Sequence, residues 1–147
     1  MAEIRWNVQD APVNILTTEL NALGDGANKI SAALSNDDTA ELDLYADFEL
    51  YIGTTTAKDA NAYVELYILT EMDGTNYVYG DDSIDPPATA LVGIFRFPAT
   101  VTACRDTLRG VVLPPTNFKV LLINETGQAF TATGNILSYA RYNMQSA

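Results

Sequence analysis

Twelve consecutive residues, 41–52, alternate strictly between apolar side chains and acidic or tyrosine side chains. Because successive side chains of a β-strand point to opposite faces, this pattern predicts one apolar and one polar face. The apolar face would hold Leu42, Leu44, Ala46, Phe48, Leu50 and Ile52, and the polar face Glu41, Asp43, Tyr45, Asp47, Glu49 and Tyr51. Helical spacing would scatter the charges around a cylinder, so a period of two favours a strand. The segment therefore predicts an antiparallel β protein with one buried face.

Turn residues divide the rest of the chain into further strand-like runs. Residues 61–70 alternate in the same way, residues 90–97 and 107–113 end at prolines, and residues 118–123 are almost wholly apolar. A last run covers residues 136–142. About seven to nine strands at roughly ten-residue spacing, with no long helical pattern, predict an all-β sandwich or barrel. Uneven loops and long strands favour an antiparallel two-sheet β-sandwich of the jelly-roll type.

The length of the chain, 147 residues, suits one domain that spans residues 1–147. Residues 1–20 have a mixed character and predict an extended strand or an N-terminal arm. Trp6, the only tryptophan, lies in this segment near Ile4 and Val8. A large aromatic anchor of this kind can dock onto a neighbouring subunit or cover one end of its own sandwich. The sequence leaves both open.

The balance of charge argues against two classes of partner. Eight basic and nineteen acidic residues give a formal net charge of −11. Nucleic acid and anionic membranes both require a cationic footprint, so we expect neither as a partner. The first residues also lack the pattern of a signal peptide, and no run is apolar enough for a membrane span. We therefore expect synthesis in the cytoplasm.

Catalytic side chains are scarce. Histidine is absent, which removes the commonest general base and a frequent metal ligand. Cys104, the one cysteine, has no histidine to activate it and is interpreted as a small core residue. Asp43, Asp47 and Glu49 have a spacing that could serve glycoside hydrolysis, but they also form the polar face of a strand. We predict no catalytic residue and no cofactor.

Acidic loops raise the question of a calcium site. Asp73 begins a sequence that superficially resembles a calcium loop, and Asp81, Asp82 and Asp85 follow it. An EF-hand requires glutamate at the twelfth position, which is Ile84 here. We interpret the first segment as a tight turn and the second as a solvated acidic loop, and predict no metal ligand. A calcium site of another kind stays open.

Tyrosines are the residues that most suggest a binding surface. The alternation places Tyr45, Tyr51, Tyr63 and Tyr67 opposite the apolar rows of their strands. Exposed aromatic rows are enriched in protein interfaces, and the same rings can stack on sugars. They are also ordinary strand residues whose rings cover their neighbours. The predicted interface residues are Ile4, Trp6, Tyr45, Tyr51, Tyr63 and Tyr67.

Three segments together resemble a known family. They are residues 70–77 (Thr-Glu-Met-Asp-Gly-Thr-Asn-Tyr), residues 113–127, which begin Leu-Pro-Pro-Thr-Asn-Phe-Lys, and residues 134–142. Their order resembles that of small virion proteins of tailed bacteriophages. More narrowly, it is similar to the jelly-roll cement or decoration proteins on the outside of the capsid. The likeness covers roughly residues 40–142 and consists of turns and strands.

The resemblance implies a non-enzymatic structural protein of the virion. Such a protein would be made in the host cytoplasm, bind the major capsid protein on the outer capsid surface, and form a homo-oligomer, a dimer or a trimer. An alternative is a carbohydrate-binding β-sandwich of a phage tail or a surface adhesin. A third interpretation is a small hydrolase that uses paired carboxylates.

Overall fold

The computed structural model describes residues 3–37, 42–54 and 57–146, and within these ranges it contains ten β-strands. The strands are β1 (Ile4–Trp6), β2 (Val13–Leu16), β3 (Asn28–Ile30), β4 (Tyr45–Ile52), β5 (Tyr63–Thr70), β6 (Leu91–Arg96), β7 (Cys104–Val112), β8 (Phe118–Glu125), β9 (Ile136–Tyr142) and β10 (Met144–Ser146). Two single-turn 3-10 helices, Thr18–Leu20 and Ala88–Ala90, are the only helical elements described. No helix in these ranges has the length and apolar character needed to cross a bilayer.

Eight of the strands form two four-stranded antiparallel sheets. Sheet I has the order β2-β9-β4-β7, and sheet II has the order β3-β8-β5-β6. The chain passes from one sheet to the other at nearly every connection, and this order is that of a jelly roll. The predicted fold class, an all-β antiparallel two-sheet β-sandwich, is confirmed. The remaining strands, β1 and β10, pair with each other as a separate two-stranded ribbon.

The core lies between the two sheets. In β4 the alternation is confirmed, since Ala46, Phe48, Leu50 and Ile52 are fully buried while the intervening residues are half-buried. They pack against apolar side chains of sheet II, among them Val64, Leu66, Phe95, Phe118, Val120 and Leu122. Burying an apolar side chain of this size contributes about 1.5–3 kcal/mol. Cys104 is partly buried against the same core, in agreement with its interpretation as a core residue.

The start of β4 differs from the prediction. Leu42 and Leu44 are 52% and 39% exposed, although the alternation predicts them on the buried face. The physical reason is a side chain that bonds to this segment. Asn36 donates a hydrogen bond to the carbonyl of Asp43 and accepts one from its amide, at 3.0 and 2.9 Å, so the segment is bonded outside the regular ladder. Glu41 lies outside the described residues.

A second apolar layer lies on the outer face of sheet II. Tyr67, Leu69, Leu121 and Ile123 are buried there as a cluster separate from the main core. The connection between β5 and β6 passes over this face. At Gly80, where φ is +144°, an added Cβ would lie 3.2 Å from the side chain of Leu69. Sheet II is therefore covered on both faces, whereas a solvated outer face is the simpler expectation for an antiparallel sheet.

Truncating a side chain of the main core tests the facing of β4. We expect Phe48→Ala to lower the free energy of unfolding by about 3–5 kcal/mol, because it removes a fully buried ring. Tyr51→Ala, on the outward face of the same strand, should cost distinctly less. Urea denaturation of both variants measures the difference. Equal losses would contradict the assigned facing.

Candidate functional site

Three aromatic rings meet on the outer face of sheet I. Trp6 lies edge-on to Tyr45 and Tyr142, with ring centroids 5.4 and 5.5 Å apart. Tyr45 and Tyr142 stack on each other at 5.7 Å. The pairing of β1 with β10 brings Trp6 to this position, where it is still 61% exposed. We call these three residues the aromatic cluster.

The carboxylate of Asp47 connects the aromatic cluster to the sheet. It accepts hydrogen bonds from the amide of Gly110 at 2.8 Å, the hydroxyl of Tyr142 at 3.1 Å and the side-chain amide of Gln9 at 3.0 Å. Gly110 has a φ of +65° and lies at a bulge in the pairing of β4 with β7. Burial, together with the bond to Asp47, raises the pKa of Tyr142. Asp47 therefore holds an edge strand, the cluster and the N-terminal segment in one arrangement.

A shallow polar groove lies next to the cluster. Its volume is about 210 Å³. Its lining residues are Gln9, Pro12, Asp47, Glu49, Thr107, Arg109, Ser138, Tyr139 and Ala140. Glu49 forms an ion pair with Arg105 at 3.3 Å. Within the described ranges, Arg109 makes no side-chain hydrogen bond or ion pair, so its guanidinium group is open to a ligand in this groove.

Apolar surface begins where the aromatic cluster ends. One groove, of about 510 Å³, is lined by Ile68, Thr70, Val78, Thr89, Ala90, Val92, Val112, Leu113, Pro114 and Pro115, without a charged residue. A second groove, of about 420 Å³, is lined by Asn36, Leu42, Asp43, Leu44, Val112, Leu113, Pro115 and Asn143. The two grooves share three residues, so they form one continuous surface.

We call the exposed apolar side chains of this surface, Leu42, Leu44, Val78, Val92 and Val112, the apolar band. Val112 is 61% exposed and pairs with Tyr45 across β4 and β7, so the band adjoins the aromatic cluster. Contiguous apolar surface at the edge of a polar protein marks interaction sites more often than scattered exposed residues do. Sequence reasoning missed this band, because it assigned Leu42 and Leu44 to the core.

Sequence reasoning also missed Tyr142. The pairing of Ala46 with Arg141 and of Tyr45 with Tyr142 places its ring on the outward face of sheet I. Alternation within residues 136–142 carries the facing, but the pairing partner is not visible in the sequence.

The predicted interface residues do not form one surface. Ile4 is 76% exposed on β1, and Trp6 and Tyr45 meet in the aromatic cluster. Tyr51 lies near the other end of β4, with the guanidinium group of Arg105 5.2 Å from its ring centre. Tyr63 lies on sheet II instead.

The expectation that Tyr67 is an exposed aromatic residue is wrong. It is 7% exposed within the second apolar layer, and its hydroxyl donates a hydrogen bond to Glu65. Burial and the neighbouring carboxylates raise its pKa well above the ordinary value. The loop between β5 and β6 covers this side chain, and no local alternation reveals that cover.

The first acidic loop folds as the predicted tight turn. Asp73 accepts hydrogen bonds from the amides of Thr75 and Asn76 at 2.9 and 2.7 Å. These bonds lower the pKa of Asp73 to about 2. Among the residues that the structure describes, no three Asp, Glu, His or Cys side chains stand ready as a metal site.

Comparison with known proteins gives one structural similarity. The chain is similar to the crystal structure of the CBM36-1 domain of a multidomain xylanase from the hindgut metagenome of Trinervitermes trinervoides. The TM-score is 0.44 and the sequence identity 14%, over 100% of this chain and 97% of that one. No family model and no curated protein matches the sequence.

Removing the carboxylate of Asp47 should loosen the aromatic cluster. We expect Asp47→Ala to lower the free energy of unfolding by about 1–3 kcal/mol, because partly buried donors lose their acceptor. The emission of Trp6, the single tryptophan, should shift to longer wavelength as its ring becomes more hydrated. Glu49→Ala removes only an exposed ion pair and should change stability by less than about 1 kcal/mol. An unchanged Trp6 spectrum in Asp47→Ala would contradict this role.

Proposed function

We propose that this protein is a non-enzymatic structural protein of a tailed-phage virion, a decoration protein that binds the outer surface of the capsid shell. The resemblance of residues 40–142 to such proteins supports the proposal, as does the jelly-roll order of the two sheets. The observation that carries it is the apolar band with its two joined grooves. A protein with a net charge of −11 exposes this surface although it has charged residues to spare.

The shape of the band suits a protein partner. Protein interfaces have an apolar centre, depleted of charge and surrounded by a polar rim, with aromatic residues enriched. The larger groove has no charged lining residue, and the aromatic cluster adjoins the band at Val112. Trp6 and Tyr45 supply rings of the kind that anchor interfaces. The major capsid protein is the partner that the sequence resemblance implies.

Outward carboxylates on β4 have structural roles, which supports a protein without catalytic activity. Asp43 is 3.7 Å from Arg141, and Glu49 is paired with Arg105. Asp47 accepts three hydrogen bonds, one of them from a backbone amide. A general acid of a hydrolase requires a carboxylate next to a substrate cleft with its proton available. These three carboxylates are occupied in holding neighbouring strands.

Decoration would stabilise a shell by mass action. A ligand that binds only the assembled shell stabilises it in proportion to RT ln(1 + [L]/Kd), and many copies act together. Apolar docking supplies the attraction, while the acidic remainder of the surface keeps the free protein soluble. Homo-oligomers, dimers or trimers, would add to this effect by multiple attachment.

Charge placed in the apolar band tests the proposal. We expect Val112→Asp to weaken binding to shells of the cognate major capsid protein by at least about tenfold, because a carboxylate would have to be desolvated in the interface. Co-sedimentation of purified protein with undecorated shells measures the affinity. Val101→Asp is the matched control, since Val101 is 49% exposed beyond the opposite end of β7. Undiminished binding by Val112→Asp, or equal loss in the control, would contradict the assignment.

A second candidate function is carbohydrate binding, favoured by the groove on sheet I. The groove combines side chains that can bind hydroxyl groups, Gln9, Thr107 and Ser138, with the open guanidinium of Arg109. Exposed Trp6 lies in the adjoining cluster, where its ring could stack on a sugar. Sugar sites join an aromatic platform to a few placed polar groups in this way.

Glycan binding is separable from shell binding. If the groove binds sugar, Arg109→Ala should abolish retention on a glycan array, whereas Arg96→Ala, on the edge of sheet II, should leave it intact. Val112→Asp should not affect it. Absence of any retained glycan, or retention that survives Arg109→Ala, would exclude the groove as a sugar site.

A further inference from the structure

Carboxylates gather on the outer face of sheet II, away from both surfaces described above. The strand pairing places Asn28, Ile123 and Glu65 side by side across β3, β8 and β5. Glu125 lies two residues beyond Ile123 and so shares its face. Asp85, from the loop between β5 and β6, reaches this row through a hydrogen bond with Asn28. Three strands and one loop therefore bring acidic side chains to one place.

Asn28 is the residue at the centre of this cluster. It is 6% exposed, and its side-chain amide nitrogen donates to the Asp85 carboxylate at 2.9 Å and to the carbonyl of Asp81 at 3.3 Å. Its oxygen, Oδ1, is buried without a donor among the described residues. A buried acceptor without a partner costs about 1–3 kcal/mol, and such atoms in native proteins usually mark a bound water or ion.

Turning the amide of Asn28 does not remove the problem. A half-turn exchanges nitrogen and oxygen, and the oxygen would then face the Asp85 carboxylate and the Asp81 carbonyl. Three oxygens would meet with no hydrogen between them. Such a set of amide, carboxylate and carbonyl oxygens is what a hard cation binds.

The charge of the surroundings favours a cation. Burial raises the pKa of Glu125, and the nearby carboxylates of Asp25, Glu65 and Asp85 raise it further. The basic residue on the neighbouring strand, Lys29, is already paired with Asp82.

We infer that Asn28, Asp85 and the carbonyl of Asp81 form a weak calcium site, with Glu125 and Glu65 supplying additional negative charge. Calcium accepts amide, carbonyl and carboxylate oxygens in flexible geometry, whereas magnesium demands a near-ideal octahedron and zinc prefers nitrogen and sulfur ligands. A site with so few charged ligands belongs in the range of about 10⁻⁴ to 10⁻³ M. Binding would fix the loop between β5 and β6 on sheet II.

Thermal unfolding of the full chain tests the site. We expect Ca²⁺ at about ten times its Kd to raise Tm by about 3–5 °C over the value in EDTA at matched ionic strength, with a saturable dependence. Mg²⁺ should give a smaller increase. Asp85→Asn should remove the response, and Asp73→Asn should keep it, because the Asp73 carboxylate is engaged in a separate turn.

Glu125→Gln gives an independent readout. The raised pKa means that folding disfavours the charged form of Glu125, so the neutral variant should be more stable than the wild type in EDTA at pH 7. The same variant should respond less to Ca²⁺, and isothermal titration should show a larger Kd. A wild-type Tm that changes no more with Ca²⁺ than with Na⁺ at equal ionic strength would overturn the inference. So would a full response in both Asp85→Asn and Glu125→Gln.

Discussion

Contact between the apolar face of β4 and sheet II determines the surface on the other side of the same strand. β4 is an inner strand of sheet I, and four of its side chains are fully buried. Since the side-chain period is two, the residues between them must point outward. Tyr45 and Asp47 are therefore held at the surface by the packing beneath them. The aromatic cluster and the hydrogen bonds of Asp47 both depend on that position.

The two sheets present different outer faces. On sheet I, the outer face carries the aromatic cluster and the polar groove, with the apolar band beside them. On sheet II, the corresponding face is covered by the loop between β5 and β6, and apolar residues such as Leu69 and Leu121 fill the space below. That cover is attached to the edge strand β3 through Asn28 and Lys29. Docking and loop attachment are thus separated onto opposite sides of the sandwich.

Alternation predicted the all-β class and the facing of residues 45–52, because a period of two is a local property. It failed at Tyr67, where the strand pattern is the same but a distant loop covers the ring. One signal was present: residues 118–123 are almost wholly apolar, which is typical of a strand buried on both faces. Since that strand pairs with β5, cover over one implies cover over the other.

Features that join distant parts of the chain were beyond sequence reasoning. The aromatic cluster requires β1 to pair with β10, and the apolar band joins the start of β4 to the end of β7. Neither pairing has a local signature, because partner choice depends on how the whole sandwich closes. The exposure of Leu42 and Leu44 depends on Asn36, a polar residue whose long-range bond the sequence does not reveal.

The ribbon of β1 and β10 has a practical consequence for protein engineering. Ile4 lies opposite Ser146, so polypeptide attached at either end would leave the molecule from one place, beside the aromatic cluster. A cargo domain fused there would crowd the proposed contact surface. The loop before β7 lies about 25 Å away along the strand and faces the opposite end, so an epitope inserted there would be displayed clear of that surface. The same proximity would allow a short linker to join the two ends, with new ends opened in that loop as a circular permutant.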